Sequence, residues 1–324
     1  MGNSSVIDNE EASFSFLSTL LQLGWYTTVV MILITHIFKL LLISVVVRLR
    51  AKTNLVIGSY CICVIVIAIL YLIPLVMSKT TFENLGLICQ LIKRVLYPLF
   101  SINMHYHICL LSMDRLCAVG WSSSYEEIMS KSRVVIAILC LWLFSSFVTI
   151  LPVTVWLQLN HQSCQPTGNI NMFNLYSAYS QIFTALLPIL TAMTASIAIL
   201  IIVNRSSSYR LHSTNNKAAH KANKTWKATK PILAMVIIYV LSSLPFMALQ
   251  FLQQFEFISD NSVIKITTQI CQMVAYFLYA VIPISMTVMN SDAMGIITSL
   301  CCRTRRYVPD SINDVINQPE LATS

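Results

Sequence analysis

The chain has 324 residues, 56% hydrophobic and only 10% charged, with a formal net charge of +8 and a mean hydropathy of +0.71. A soluble domain carries about 25% charged residues, so this composition excludes a water-exposed globular enzyme or a string of soluble domains. With seven Gly and ten Pro there is no Gly- or Pro-rich linker, and one continuous membrane-embedded unit is expected.

A bilayer core of about 30 Å needs roughly 20 mostly apolar residues per helix. Seven stretches qualify, at about 22–47, 54–77, 88–113, 133–157, 173–203, 231–252 and 264–289. The runs 55–77 and 134–157 hold no charged residue. Backbone in lipid has no water to bond, so these segments must be helical. The expected fold is an all-α integral membrane protein, a seven-transmembrane helix bundle. A short amphipathic eighth helix at the inner membrane face is expected to follow it. The divisions are an extracellular N-terminus (1–21), the seven-span domain (22–290), the juxtamembrane helix (291–302) and a cytoplasmic tail (303–324). No cleavable signal peptide is expected, because residues 1–16 carry Asp8, Glu10 and Glu11 and no Lys or Arg.

The basic residues orient the bundle. With the N-terminus outside, the inner segments hold sixteen: Arg48, Arg50, Lys52, Arg115, Lys131, Arg133, Arg205, Arg210, Lys217, Lys221, Lys224, Lys227, Lys230, Arg303, Arg305 and Arg306. The outer segments hold two, Lys79 and Lys265. The basic balance is thus a topology signal and a cytoplasmic surface, not the footprint of nucleic-acid binding. The expected location is the plasma membrane, multi-pass, with the C-terminus in the cytoplasm. Asn3-Ser4-Ser5 is then an outer glycosylation sequon, whereas those at Asn204 and Asn223 face the cytosol and stay bare. Cys301 and Cys302 follow an apolar turn and precede Arg303, which suits palmitoylation at the inner face; a solvated basic tail is the other reading. No zinc-ligand spacing, nucleophile–base set or phosphate loop is present, so neither metal, cofactor nor enzymatic activity is expected.

At the inner end of the third span, Ser112-Met113-Asp114-Arg115-Leu116 resembles the Asp-Arg-Tyr signature of rhodopsin-like G-protein-coupled receptors. Thr53-Asn54-Leu55, Trp142 and Pro152, Pro188, Leu244-Pro245-Phe246, and Pro283 with Met289-Asn290 agree in order and place, so the resemblance covers about 22–302. The second inner loop, through Ala118, Tyr125, Ile128-Met129-Ser130 and Arg133, is similar to that of olfactory-type receptors, with Ser122-Ser123-Ser124 in place of their Pro-Leu-Arg. Cys89 and Cys164 match the family disulfide, Cys89 one residue early relative to Arg115. On the outer side such a bridge persists and would pin the loop over the bundle mouth; two free thiols are the alternative. The departures are as definite. Val64 replaces the sodium-site Asp and Ser243 the toggle Trp, Ser196 the fifth-span Tyr and Leu116 the Tyr of the signature. Asn-Pro-x-x-Tyr reads Ile282-Pro283-Ile284-Ser285-Met286. Helix-shaping prolines remain while the polar switch network is largely gone.

The resemblance implies that Arg115 locks to Asp114 at rest and is freed to meet a heterotrimeric G protein, with arrestin as a further partner. A plain interfacial anchor is the alternative reading. Lys217, Lys221, Lys224 and Lys227, with Lys230 beyond, form a basic stripe on an inner extension of the sixth span, facing a G protein, anionic lipid or solvent. Tyr97 stands where amine receptors carry an Asp, which argues against a monoamine ligand. Lys93 and Arg94, one turn earlier, suit an anionic group such as a carboxylate; they otherwise pair with Glu83, Glu256 or Asp260, or snorkel outward. Ser243, Gln272 and Tyr276 complete the expected pocket. The resulting expectation is a receptor for an unknown extracellular ligand that signals by splaying the inner ends of spans five and six. The alternatives are a receptor-like partner with no signalling of its own and a transporter. A transporter sits poorly with an odd span count and no inverted repeat.

Overall fold

The computed structural model describes residues 4–45, 52–76, 86–121, 124–156, 179–210, 216–254 and 261–288, with 294, 295 and 298. Every regular element among them is helical. The first span is one helix, Ser4–Val45. It begins well before the expected start at 22, because no Gly or Pro interrupts 4–23; its membrane-length apolar part is Phe16–Val45. The fourth is Lys131–Trp156, the sixth Asn216–Gln254 and the seventh Ser262–Val288.

The second, third and fifth spans each change pitch once. Their π-turns are Ala68–Leu72, Ile92–Leu96 and Ile182–Leu186. The backbone N–H of Ile73 reaches the Ala68 carbonyl, that of Tyr97 reaches Ile92, and that of Leu187 reaches Ile182. The same sequence cause recurs: Pro74, Pro98 and Pro188 stand two residues past the three turns. Proline donates no N–H, and its ring collides with the carbonyl four residues back. Widening the preceding turn absorbs that collision while the helix continues. Pro152, Pro245 and Pro283 lie instead inside α-helical stretches.

Six helices among the described residues are long and apolar enough to cross a membrane. The third span is the seventh helix, and it is the one too polar for that test. It runs Leu87–Leu91, the π-turn and Tyr97–Gly120, and carries Lys93, Arg94, Asp114 and Arg115. It tolerates them because it packs against the second, fourth, fifth and sixth spans at once, so its charges meet protein groups rather than lipid tails. Gly86, at φ 52°, opens it, a left-handed backbone that costs a side-chain-bearing residue about 1–2 kcal/mol.

Polar clasps fix the remaining helices. Trp142 Nε1 donates to Ser59 Oγ at 3.2 Å and its ring meets Phe100 edge-on at 5.6 Å, joining spans two, three and four. The Cys109 thiol donates to the Pro188 carbonyl at 3.2 Å. The first span packs on the seventh, where buried Lys39 donates to Thr287 Oγ1 at 3.3 Å. Thr287 in turn donates to the Pro283 carbonyl at 2.7 Å. Beyond the seventh span only Met294, Gly295 and Thr298 are described, all helical. The rest of the expected eighth helix lies outside the described residues.

Candidate functional site

Two polar sites occupy the two ends of the third span. Arg94 and Arg115 are 21 residues apart in sequence, about 30 Å along a helix.

At the Asp114 end, Asp114 and Arg115 are both buried and form an ion pair in which Arg115 Nε donates to Asp114 Oδ2 at 2.9 Å. Thr53, at the start of the second span, donates to the same oxygen at 3.1 Å and accepts from Arg115 Nη2 at 2.9 Å. Tyr125, on the short loop helix Tyr125–Ile128, closes the other side. Its hydroxyl donates to Asp114 Oδ1 at 2.7 Å and accepts from Arg115 Nη2 at 3.4 Å. Burial, and then the adjacent Asp114 carboxylate, push the Tyr125 phenol well above its usual range. Lys52 braces the loop helix by pairing with Glu126 and lying 5.7 Å over the Tyr125 ring; Arg133 donates to the Glu127 carbonyl at 2.7 Å. The arrangement holds a permanent cation in place through three groups, Asp114, Thr53 and Tyr125, on three segments of chain, a latch between the second span, the third span and the loop helix.

At the Cys89 end, a cavity of about 410 Å³ opens between the second, third, fifth, sixth and seventh spans. Lys93, Arg94, Tyr97, Pro98 and Ser101 line it from the third span, with Tyr71 from the second. Ser180, Gln181 and Thr184 come from the fifth, and Phe246, Met247, Gln250, Gln253 and Gln272 from the sixth and seventh. Each π-turn contributes to this wall: Tyr71 from the first, Lys93 and Arg94 from the second, Thr184 from the third. Tyr71 and Tyr97 stack at 4.0 Å, and below them the Tyr276 hydroxyl donates to Tyr97 at 3.1 Å.

Of the residues expected in the pocket, Lys93, Arg94, Tyr97 and Gln272 line it together. Tyr276 supports it from beneath, and Ser243 does not line it. Ser243 is buried deeper and shares a 2.7 Å hydrogen bond with Tyr279 of the seventh span. It is drawn there because a buried hydroxyl must be satisfied, and Tyr279 offers the partner. Asp114 and Arg115 are joined as expected. Lys224 and Lys227 lie on the helix Asn216–Gln254, their side chains outside the described residues, and Lys230 is exposed. Pro152, Pro188 and Pro283 are buried and Pro245 is exposed. Cys89 is buried and disulfide-bonded. Asn3, Cys164, Cys301 and Cys302 lie outside the described residues.

Sequence reasoning missed Thr53 and Tyr125 as members of the latch, and Tyr71, Thr184 and three glutamines as lining. The mid-span prolines were the available signal for the π-turns. Thr53 carried none, since a threonine at a helix start reads as an ordinary cap.

The chain belongs to the rhodopsin family of seven-transmembrane receptors, whose family model matches residues 37–284. It is therefore a multi-pass membrane receptor of that class, and membership implies an extracellular ligand and G-protein coupling. No curated protein matches the chain.

Proposed function

We propose that the chain is a plasma-membrane receptor, with its N-terminus outside, that binds a small ligand in the cavity and signals to a heterotrimeric G protein. The observation that carries this reading is the latch. Arg115 is buried and held by Asp114, Thr53 and Tyr125, about 30 Å along the third span from the cavity. Ligand in the cavity favours a state in which the Asp114 ends of spans five and six splay and Arg115 is freed. Lys224, Lys227 and Lys230 extend that surface for the G protein, arrestin or anionic lipid. A Cys89–Cys164 bridge anchors the outer loop, Asn3 carries a glycan, and palmitoyl groups on Cys301 and Cys302 hold the tail at the inner face.

The test is recruitment of a panel of engineered G-protein α subunits in cells, wild type against Arg115→Ala at matched surface expression. Recruitment lost in the variant supports the reading; recruitment that the variant leaves unchanged sinks it. A second reading, a receptor-like partner without its own signalling, draws on the departures. Val64 is buried where the family has an acid, and Met286 stands in place of a tyrosine. A well-expressed wild type that recruits no α subunit favours that reading.

A further inference from the structure

The loop helix carries a second chemistry besides the latch. Its four residues read Tyr125-Glu126-Glu127-Ile128, and of the thirteen tyrosines in the chain Tyr125 alone is followed by two acidic residues. Glu126 and Glu127 are exposed, and Tyr125 and Ile128 are half-buried. The loop's contact with the apolar core is made by the next residue, Met129. Glu127 and Ile128 N–H donate to the Ser124 carbonyl at 3.1 and 3.0 Å, and Met129 N–H donates to the Tyr125 carbonyl at 2.9 Å. A single helical turn has almost no stability of its own. The segment therefore opens at low cost once Tyr125 leaves Asp114 and Lys52 leaves Glu126.

Extended, it presents a phenol, two carboxylates and, about 10 Å beyond the phenol, an apolar side chain. Adjacent acids mark a tyrosine for a kinase with a basic substrate groove. Once phosphorylated, the segment fits a module with an arginine pocket for the phosphate, a basic rim for the glutamates and an apolar pocket for Ile128. We propose that Tyr125 is a phosphorylation site and that phosphorylated Tyr125–Ile128 docks a phosphotyrosine-binding module of the SH2 type. This goes beyond the receptor reading above and rests on it for placing the loop in the cytosol. In the transfer, the phenol oxygen attacks the γ-phosphorus of ATP. The new O–P bond forms as the bond to the β-phosphate oxygen breaks, ADP leaves, and the phenol proton passes to a kinase carboxylate.

Phosphorylation and the latch exclude one another. The hydroxyl that accepts the phosphoryl group donates to Asp114 at 2.7 Å, so the chain is a substrate only when the latch is open. The phosphorylated oxygen has no proton to donate and sets a charge of about −1.5 to −2 beside the Asp114 carboxylate, so the latch does not re-form.

The experiment treats the purified full chain, in lipid nanodiscs that leave both faces open, with MgATP and the catalytic domain of a tyrosine kinase selective for acidic residues after tyrosine. Mass spectrometry locates the phosphate, and fluorescence anisotropy reads binding of an isolated SH2 domain that selects isoleucine three residues after phosphotyrosine. Phosphate appears on Tyr125, and the SH2 domain binds only the phosphorylated chain, with a Kd of about a micromolar or below. At equal phosphate occupancy, Ile128→Ala binds about tenfold more weakly, as expected for an apolar side chain lost from a pocket. Lys52→Gln, which removes the brace on Glu126, quickens the transfer about two- to fivefold, the worth of an exposed ion pair. Thermal midpoints before phosphorylation report whether the variants fold.

No phosphate on Tyr125 in wild type and Lys52→Gln alike overturns the proposal. So does a phosphorylated chain that the SH2 domain does not distinguish from the untreated one, or from Ile128→Ala. In cells that co-express the kinase, Tyr125 phosphorylated in a chain that recruits no G-protein α subunit supports the proposal and refutes coupling alone. Coupling with Tyr125 never phosphorylated overturns the proposal alone. Phosphate in nanodiscs and none in cells also overturns it, and a C-terminal epitope then shows whether inverted orientation is the reason.

Discussion

Tyr125 donates to Asp114 from outside the third span, so it is the member of the latch most easily removed without unfolding a membrane helix. Tyr125→Phe deletes the 2.7 Å hydrogen bond to the Asp114 carboxylate, worth about 1.5–3 kcal/mol, together with the longer one from Arg115, and keeps the ring under Lys52. The released state therefore gains about tenfold or more in population. Basal G-protein recruitment rises accordingly, and amide exchange in the Tyr125–Ile128 helix quickens even if no G protein couples. The phenol's raised pKa adds a pH prediction. A group whose folded value lies above its usual 10.0 keeps its stabilisation in full below that usual value and loses it only as pH rises through the higher folded one. Exchange in this helix is therefore flat in its protection between neutral pH and about 10, once the intrinsic base catalysis of exchange is removed. A step near neutrality shows that the clasp is not the phenol.

Spans six and seven are tied by the 2.7 Å hydrogen bond between Ser243 and Tyr279, in the region where the family toggle has been lost. Such bonds between membrane helices are worth about 0.6 kcal/mol on average and about 1.7 at most. Ser243→Ala and Tyr279→Phe each lower the thermal midpoint, and the double variant costs less than the two singles summed, because each single strands its partner's buried hydroxyl. Strict additivity in nanodisc thermal unfolding excludes this tie. A parallel case is the proline two residues beyond each π-turn. Pro98→Ala removes the collision that widens Ile92–Leu96, lets the turn relax toward α-helix and rotates Lys93 and Arg94. Amide exchange across Ile92–Leu96 slows in the variant as the turn regains α-helical bonds, and unchanged exchange shows that the proline does not set the pitch.

Across the whole bundle, the buried Lys39 is an ammonium whose described partner is one hydroxyl. Thr287 already donates to Pro283, so removing the lysine leaves no orphaned group. Lys39→Met, which replaces a desolvated charge with an apolar chain of similar reach, raises the thermal midpoint by a few degrees. A fall indicates that the Lys39–Thr287 contact is net stabilising. The sixteen-to-two distribution of basic residues across the ends predicts the orientation. A C-terminal epitope is reached by antibody only after permeabilisation, and Asn3→Gln removes any glycan shift. Staining of that epitope on intact cells inverts the topology and moves the proposed ligand cavity to the cytosolic side.

The seven helices, their approximate bounds and the family were legible in the sequence. The membrane imposes one rule, that every backbone group be bonded within its own helix, and the apolar runs and ordered prolines report it directly. The Asp114–Arg115 pair was legible through the resemblance of residues 112–116 to the family signature, which implies it. The sites themselves needed the packing. Thr53 and Tyr125 meet Asp114 across 61 and 11 positions of sequence, and no periodicity links them. Ser243 shares its span with lining residues yet faces Tyr279, because which arc of a uniformly apolar helix turns inward is set by its neighbours. Hydropathy determined that these segments are helices in a membrane; only their mutual packing decided which polar residues share an end of the bundle.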